Sequence, residues 1–110
     1  MAKRHRPLSD DALDLIARRF AVLGEPMRLR ILQSLLAGEK PVHRVVGETG
    51  STQANISRHL QTLANAGLVS RRKVGLEVIY AVADPSIFEL CTLVCGSLEK
   101  QHTANARIFG

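Results

Sequence analysis

Four helical patterns bounded by glycines, a β-prone hairpin and a long apolar helix point to a mainly α domain with a small β-hairpin. The class predicted is a winged helix-turn-helix, five helices plus a two-stranded wing. Three observations carry that reading. The stretch Thr52–Leu68, TQANISRHLQTLANAGL, sets an apolar stripe (Ile56, Leu60, Leu63) against short hydrogen-bonding side chains. A short helical run precedes it across Gly50. A basic, β-prone run, Leu68–Lys73, follows it.

Taken in order, Ser9 or Asp10 caps a first helix, with Asp11 and Asp14 in the first turn where the macrodipole favours anions. Its apolar face is Leu13, Ile16, Ala17, Phe20 and Leu23, and Gly24 ends it. Glu25-Pro26 opens the second helix, proline being tolerated at the first position. Met27, Ile31, Leu32, Leu35 and Leu36 fill that helix, and Gly38 closes it. A third helix spans Pro41 to Thr49 with Val42, Val45 and Val46 inward, and Gly50 breaks it. The fourth starts after Thr52, whose hydroxyl can accept a first-turn N–H, and stops at a left-handed Gly67. Leu68–Lys73 and Glu77–Val82 flank Val74-Gly75-Leu76, a hairpin signal. The last helix runs from Pro85 to about His102, with Asp84 as its capping acid. Ile87, Cys91, Val94 and Leu98 repeat every four, three and four residues, as in a coiled-coil seam. Phe88, Leu90, Leu93 and Cys95 widen that surface, so a second copy of the chain is expected to cover part of it. Leu13, Ile87, Cys91, Val94, Cys95 and Leu98 are the expected dimer contacts.

The chain has 110 residues, 45% of them hydrophobic, and a net charge of +5, which suits one small domain with a polyanionic partner. From Ser51 to Gly75 there is no Asp or Glu, while Arg58, Arg71, Arg72 and Lys73 all fall there. Thr52, Gln53, Ala54, Asn55, Ser57, Arg58 and Gln61 are the residues that could meet base edges and phosphates of double-stranded DNA. Arg71, Arg72 and Lys73 would follow the phosphate backbone or dip into a minor groove. Residues 1–9 read as a flexible basic arm, 10–104 as the domain with its dimerisation helix, and 105–110 as a tail. No apolar run approaches the roughly 20 residues needed to cross a membrane, and the basic N-terminus lacks the apolar segment of a signal peptide. Cytoplasmic location, no membrane partner and no cofactor are the expectations.

LGEPMRLRIL at Leu23–Leu32 and QANISRHLQTLANAGLVSRRKVGLEVIYAV at Gln53–Val82 resemble the ArsR/SmtB family of transcriptional repressors. The similarity covers about Leu13 to Leu98. It implies a homodimeric winged helix-turn-helix repressor on a palindromic operator, paired through its first and last helices. Many family members release DNA on binding a metal or meeting a thiol-modifying signal. The family's thiolate pair in the third helix falls on Pro41 and His43, and a proline side chain cannot ligate a metal. Of its zinc-type site on the last helix, Asp84 and Glu99 are present but only His102 stands for the histidines.

Cys91 and Cys95, one turn apart, are the candidate sensor, with the inducer itself unknown. They could also hold a thiophilic metal with His102, or be small apolar residues in an interface. An intrahelical disulfide is disfavoured by bridge geometry. His59 lies at the edge of the core stripe, where a structural hydrogen bond is expected; His43 could touch phosphate. An enzyme is not expected, for there is no Ser/His/Asp arrangement, phosphate-cradling loop or apolar carboxylate pair. An RNA binder would offer exposed aromatics, whereas Phe20 and Phe88 fall on expected core faces. A winged-helix module without DNA binding or inducer would carry acids or bulk on the Ala54/Arg58/Gln61 face, and it does not.

Overall fold

The computed structural model describes residues 7–102; residues 1–6 of the expected arm and 103–110, with the expected tail, lie outside them. The order is α1 (Asp10–Leu23), α2 (Pro26–Leu35), β1 (Lys40–Pro41), α3 (Val42–Thr49), α4 (Gln53–Asn65), β2 (Val69–Val74), β3 (Glu77–Val82) and α5 (Ser86–Gln101). Ser9 caps α1 by accepting from the Ala12 N–H at 3.1 Å, and the first-turn acids are Asp10 and Asp11, not Asp14. The Glu25 carboxylate caps α2, accepting from the N–H of Met27 at 2.7 Å and of Arg28 at 3.2 Å. At α5 the N-cap is Pro85, which has no side-chain bond; the expected capping acid Asp84 lies one residue earlier and accepts from the Ser86 N–H at 3.1 Å and its hydroxyl at 2.5 Å.

The expected two-stranded wing is the β2–β3 hairpin, and β1 extends it to a three-stranded antiparallel sheet, β1-β3-β2. β1 pairs Lys40 with Tyr80 and Pro41 with Ile79, so Pro41 is an edge-strand residue and α3 begins only at Val42. A proline is tolerated there because an edge strand needs no donor on its free side. Lys40 holds this strand down: its Nζ donates to the Ser34 carbonyl at 2.5 Å and to Glu48 Oε1 at 2.6 Å. Val74 pairs with Glu77 across the two-residue loop Gly75-Leu76. Gly75, at φ 61°, supplies the positive dihedral that the first position of this hairpin turn requires.

The core gathers Ile31, Leu32 and Leu35 of α2, Val45 of α3, Ile56, Leu60 and Leu63 of α4, Val69 and Tyr80 of the sheet, and Leu23, Leu68 and Ile87. Three expectations are corrected here. Leu36 is 60% exposed, because α2 ends one residue before it. Phe20 is 54% exposed, so α1 turns most of its apolar face away from this core, while Tyr80 is buried. Ile87, expected in the dimer seam, is 3% exposed and anchors the start of α5 within the protomer, because the helix diverges from the core only after its first turn.

Candidate nucleic-acid interface

α3 and α4 are joined through Gly50, whose φ of 74° lets the chain reverse while its N–H returns to the Val46 carbonyl at 3.0 Å. Thr52 then caps α4, accepting from the Asn55 N–H at 3.1 Å. At the other end the N–H groups of Gly67 and Leu68 bond back to the carbonyls of Ala64 and Leu63, the pairing that closes a helix on a left-handed glycine. Ile56, Leu60 and Leu63 are fully buried, each contributing about 1.5–3 kcal/mol of transfer free energy. His59 is buried beside them and accepts at Nδ1 from Arg28 Nε at 3.2 Å, the structural bond its position suggested.

With that face fixed, Gln53, Ala54, Ser57, Arg58 and Gln61 are exposed, and Asn55 is half-buried. Arg58 Nη2 donates to Asn55 Oδ1 at 2.5 Å, and Gln61 Nε2 to Asn65 Oδ1 at 3.0 Å. The wing divides its three basic residues. Alternation puts Arg71 and Lys73 on the face of Val69 and Tyr80, and Arg72 on the other, where it donates to Glu39 Oε2 at 2.6 Å. Among the described residues Arg71 and Lys73 have no ion-pair partner, which leaves them the wing's free cations. His43 bonds to Glu77 Oε2 at 2.9 Å, bracing the wing's second strand against α3. Sequence reasoning overlooked Glu39, Ser51 and Arg28, whose roles depend on partners distant in the chain or on a shared turn.

A second surface has a different character. Leu13, Ile16 and Phe20 of α1 and Leu93 and Val94 of α5 are all more than 40% exposed, and Leu98 is half-buried. Two open apolar grooves flank α5, of about 580 Å³ on the α2 side and about 350 Å³ on the α1 side; Leu29, Cys91 and Cys95 line both. Both thiols are free, and no Lys or Arg lines either groove. Among the described residues no three His, Cys, Asp or Glu side chains converge as a metal site would require. Asp84, one of the family-type acids, is committed elsewhere, to Ser86 and to Arg19 Nη1 at 3.4 Å.

The family described as "Bacterial regulatory protein, arsR family" matches residues 25–71. The chain is 39% identical over 80 residues to a probable mercury resistance operon repressor of Streptomyces lividans, covering 73% of this chain and 64% of that protein, just under two thirds of its length. It is 35% identical over 83 residues to an uncharacterized HTH-type transcriptional regulator of Mycobacterium tuberculosis, Rv0081, covering 74% of this chain and 73% of that protein. The crystal structure of the same regulator superposes with a TM-score of 0.78 over 89% of this chain and 99% of that one, at 30% identity. A homodimeric winged helix-turn-helix DNA-binding domain from Mycobacterium bovis, described as a possible ArsR-family regulator, superposes with a TM-score of 0.72 at 31% identity, over 87% and 92%.

Two carboxylates that hold this frame titrate below their ordinary values. Hydrogen bonds from Lys40 and then Ser34 lower Glu48 from 4.5. Those from the Ser86 hydroxyl and N–H, and then the charge of Arg19, lower Asp84 from 3.8. A depressed folded-state value means stability that is complete above the unfolded value and lost as pH falls through the folded one. The urea midpoint should therefore hold steady down to about pH 5 and decline below about pH 4, less steeply in Asp84→Asn. An equal acid slope in that variant would show that Asp84 contributes nothing.

Proposed function

The chain belongs to the arsR family of bacterial regulatory proteins, and on that premise we propose that it is a sequence-specific transcriptional repressor, a homodimer on a palindromic operator. The observation that carries this reading is the division of α4 into a fully buried stripe and an exposed face of Gln53, Ser57, Arg58 and Gln61. Such a helix can enter a major groove without disturbing the core, and its outward groups match base-edge donors and acceptors. Thr52 and Ala54 flank that face, with Asn55 half-buried at its edge, and Arg71 and Lys73 follow the phosphates beside it. Arg72 joins them by exchanging Glu39 for a phosphate. No step of this role is catalytic, and the cytoplasm is where such a protein meets its operator.

A second copy is the proposed occupant of the exposed α1 and α5 surface, in keeping with the homodimeric relative. Leu13, Val94, Leu98, Cys91 and Cys95 fall in or beside that surface. Two copies then present two α4 helices, which must meet major grooves one turn, about 34 Å, apart. Because the thiols line both grooves against α5, a thiol-directed signal is the proposed inducer. Modifying them would change how the copies seat, and a differential affinity of about 1–3 kcal/mol between two arrangements suffices for regulation.

Gln61→Ala or Lys73→Ala should weaken operator binding while leaving the thermal midpoint unchanged. The Gln61 change should cost about 1–3 kcal/mol at one base position, and the Lys73 change should lower the salt slope by about one. Wild-type affinity and salt slope in both would remove α4 and the wing from the interface.

Val94→Glu would place a charge on the apolar seam, which costs several kcal/mol when unpaired. Sedimentation should then show monomer with sharply reduced operator affinity; a folded dimer would put the contact elsewhere.

Cys91→Ser, Cys95→Ser should bind the operator normally and ignore thiol oxidants, polysulfide and thiophilic metals. If the wild type proves equally indifferent to these, the cysteines only fill space.

A further inference from the structure

We infer that Asn55 works in the recognition helix as a positioning residue for Arg58 and does not itself read a base; this rests on α4 being the DNA-reading helix. An asparagine recognises adenine by offering its carbonyl oxygen and an N–H side by side. Here both ends are engaged. Its Nδ2 donates to Ser51 Oγ at 2.9 Å, and its Oδ1 accepts from Arg58 Nη2 at 2.5 Å. With its amide plane held by these two bonds, Asn55 could meet adenine only through its remaining N–H and lone pair, without turning to face the base.

Its place on the helix agrees. At about 100° per residue Asn55 stands on the shoulder of α4, a full 100° back from the core residue Ile56, and it is half-buried; Arg58 lies nearly opposite the stripe and is exposed. The relay Ser51–Asn55–Arg58 thus runs from the turn before the helix out to its exposed face. A guanidinium carries five N–H donors, and one goes to Asn55. The rest suffice for a two-pronged contact with guanine O6 and N7. Holding Arg58 in one rotamer before DNA arrives removes part of the ordering cost that a free arginine would meet on binding. Gln61 differs, since its bond to Asn65 leaves its own carbonyl oxygen and one N–H free for a base.

The test compares operator binding by Asn55→Ala, Arg58→Ala and the double variant, together with base discrimination at each operator position. Arg58→Ala should lose affinity roughly ten- to hundredfold and discrimination at one base pair. Asn55→Ala should lose several-fold at that same base pair, with no change in thermal midpoint, because the Asn55 backbone N–H still bonds Thr52. The double variant should bind like Arg58→Ala alone. Ser51→Ala, which frees the Asn55 amide without altering the helix, should give a smaller loss at the same position. An Asn55→Ala loss that persists in the Arg58→Ala background, or that maps to another base pair, would mean that Asn55 contacts DNA directly and would overturn the inference. So would an Asn55→Ala protein indistinguishable from wild type. Wild-type binding by Arg58→Ala would instead sink the assignment of α4 to the groove.

Discussion

The hydrogen bond between Arg28 and His59 is the contact on which the working parts converge. The Arg28 guanidinium donates through Nε to His59 in α4 and through Nη1 to the Val22 carbonyl in the last turn of α1, at 3.1 Å. Its own backbone N–H is taken by the Glu25 cap of α2. One side chain thus joins the helix that carries the apolar outer face, the central core helix and the recognition helix. Because Nδ1 accepts, the ring proton of His59 lies on Nε2, and the partly buried guanidinium keeps its donors satisfied, as a charge away from water requires. Loss of either partner would leave the other unpaired in a half-buried place, which is costlier than the bond is worth.

Arg19 makes a second tie of the same kind. It donates to the Ala66 carbonyl at 3.3 Å, at the end of α4, and to Asp84 at the start of α5. α1 is therefore bonded directly to the end of α4 and to Asp84 before α5, and through Arg28 of α2 to the middle of α4. The surface assigned to a second copy and the surface assigned to DNA are mechanically joined through two arginines, not merely neighbours in one small fold. A shift of α1 against α5 must stretch or drag these bonds, and the alternative, breaking them, takes from two carbonyls and the buried His59 the partners they have here. On the proposed reading these bonds would give a change at the apolar face a physical route to the spacing of two α4 helices.

How far the residues disclose this depends on the range of the interaction. Caps, glycine stops and the α4 stripe were legible because each is set by residues within one or two turns: Thr52 with Asn55, Gly67 with Ala64, Glu25 with Met27. β1 was not, since two residues with a proline carry no period, and its pairing with β3 and the Lys40 bonds to Ser34 and Glu48 all involve residues distant from it or beyond one turn. Periodicity also names an apolar face without naming what covers it. That is why Phe20 and Leu36 read as core yet lie open, and why Ile87 read as seam yet is buried. The basic run on β2 showed the charge, but only the register assigned Arg72 to Glu39 and left Arg71 and Lys73 free.

The same register bears on how strongly the wing can hold DNA. An exposed pair such as Arg72–Glu39 is worth at most about 1 kcal/mol in water, so it does little for the fold. Its larger consequence is electrostatic: Glu39 lies beside a stretch, Ser51–Gly75, otherwise free of acids, and offsets one of its four cations. Glu77, beside the hairpin turn of the other strand, is hydrogen-bonded to His43. If the wing follows phosphates as proposed, they would have to displace Glu39 to engage Arg72, which would hold non-specific attraction below that of three free cations. On the proposed reading the bases would be left to decide affinity through α4, whose side chains are already hydrogen-bonded to one another. A regulator that must leave its operator gains from that balance, because excess phosphate affinity raises binding to every sequence alike.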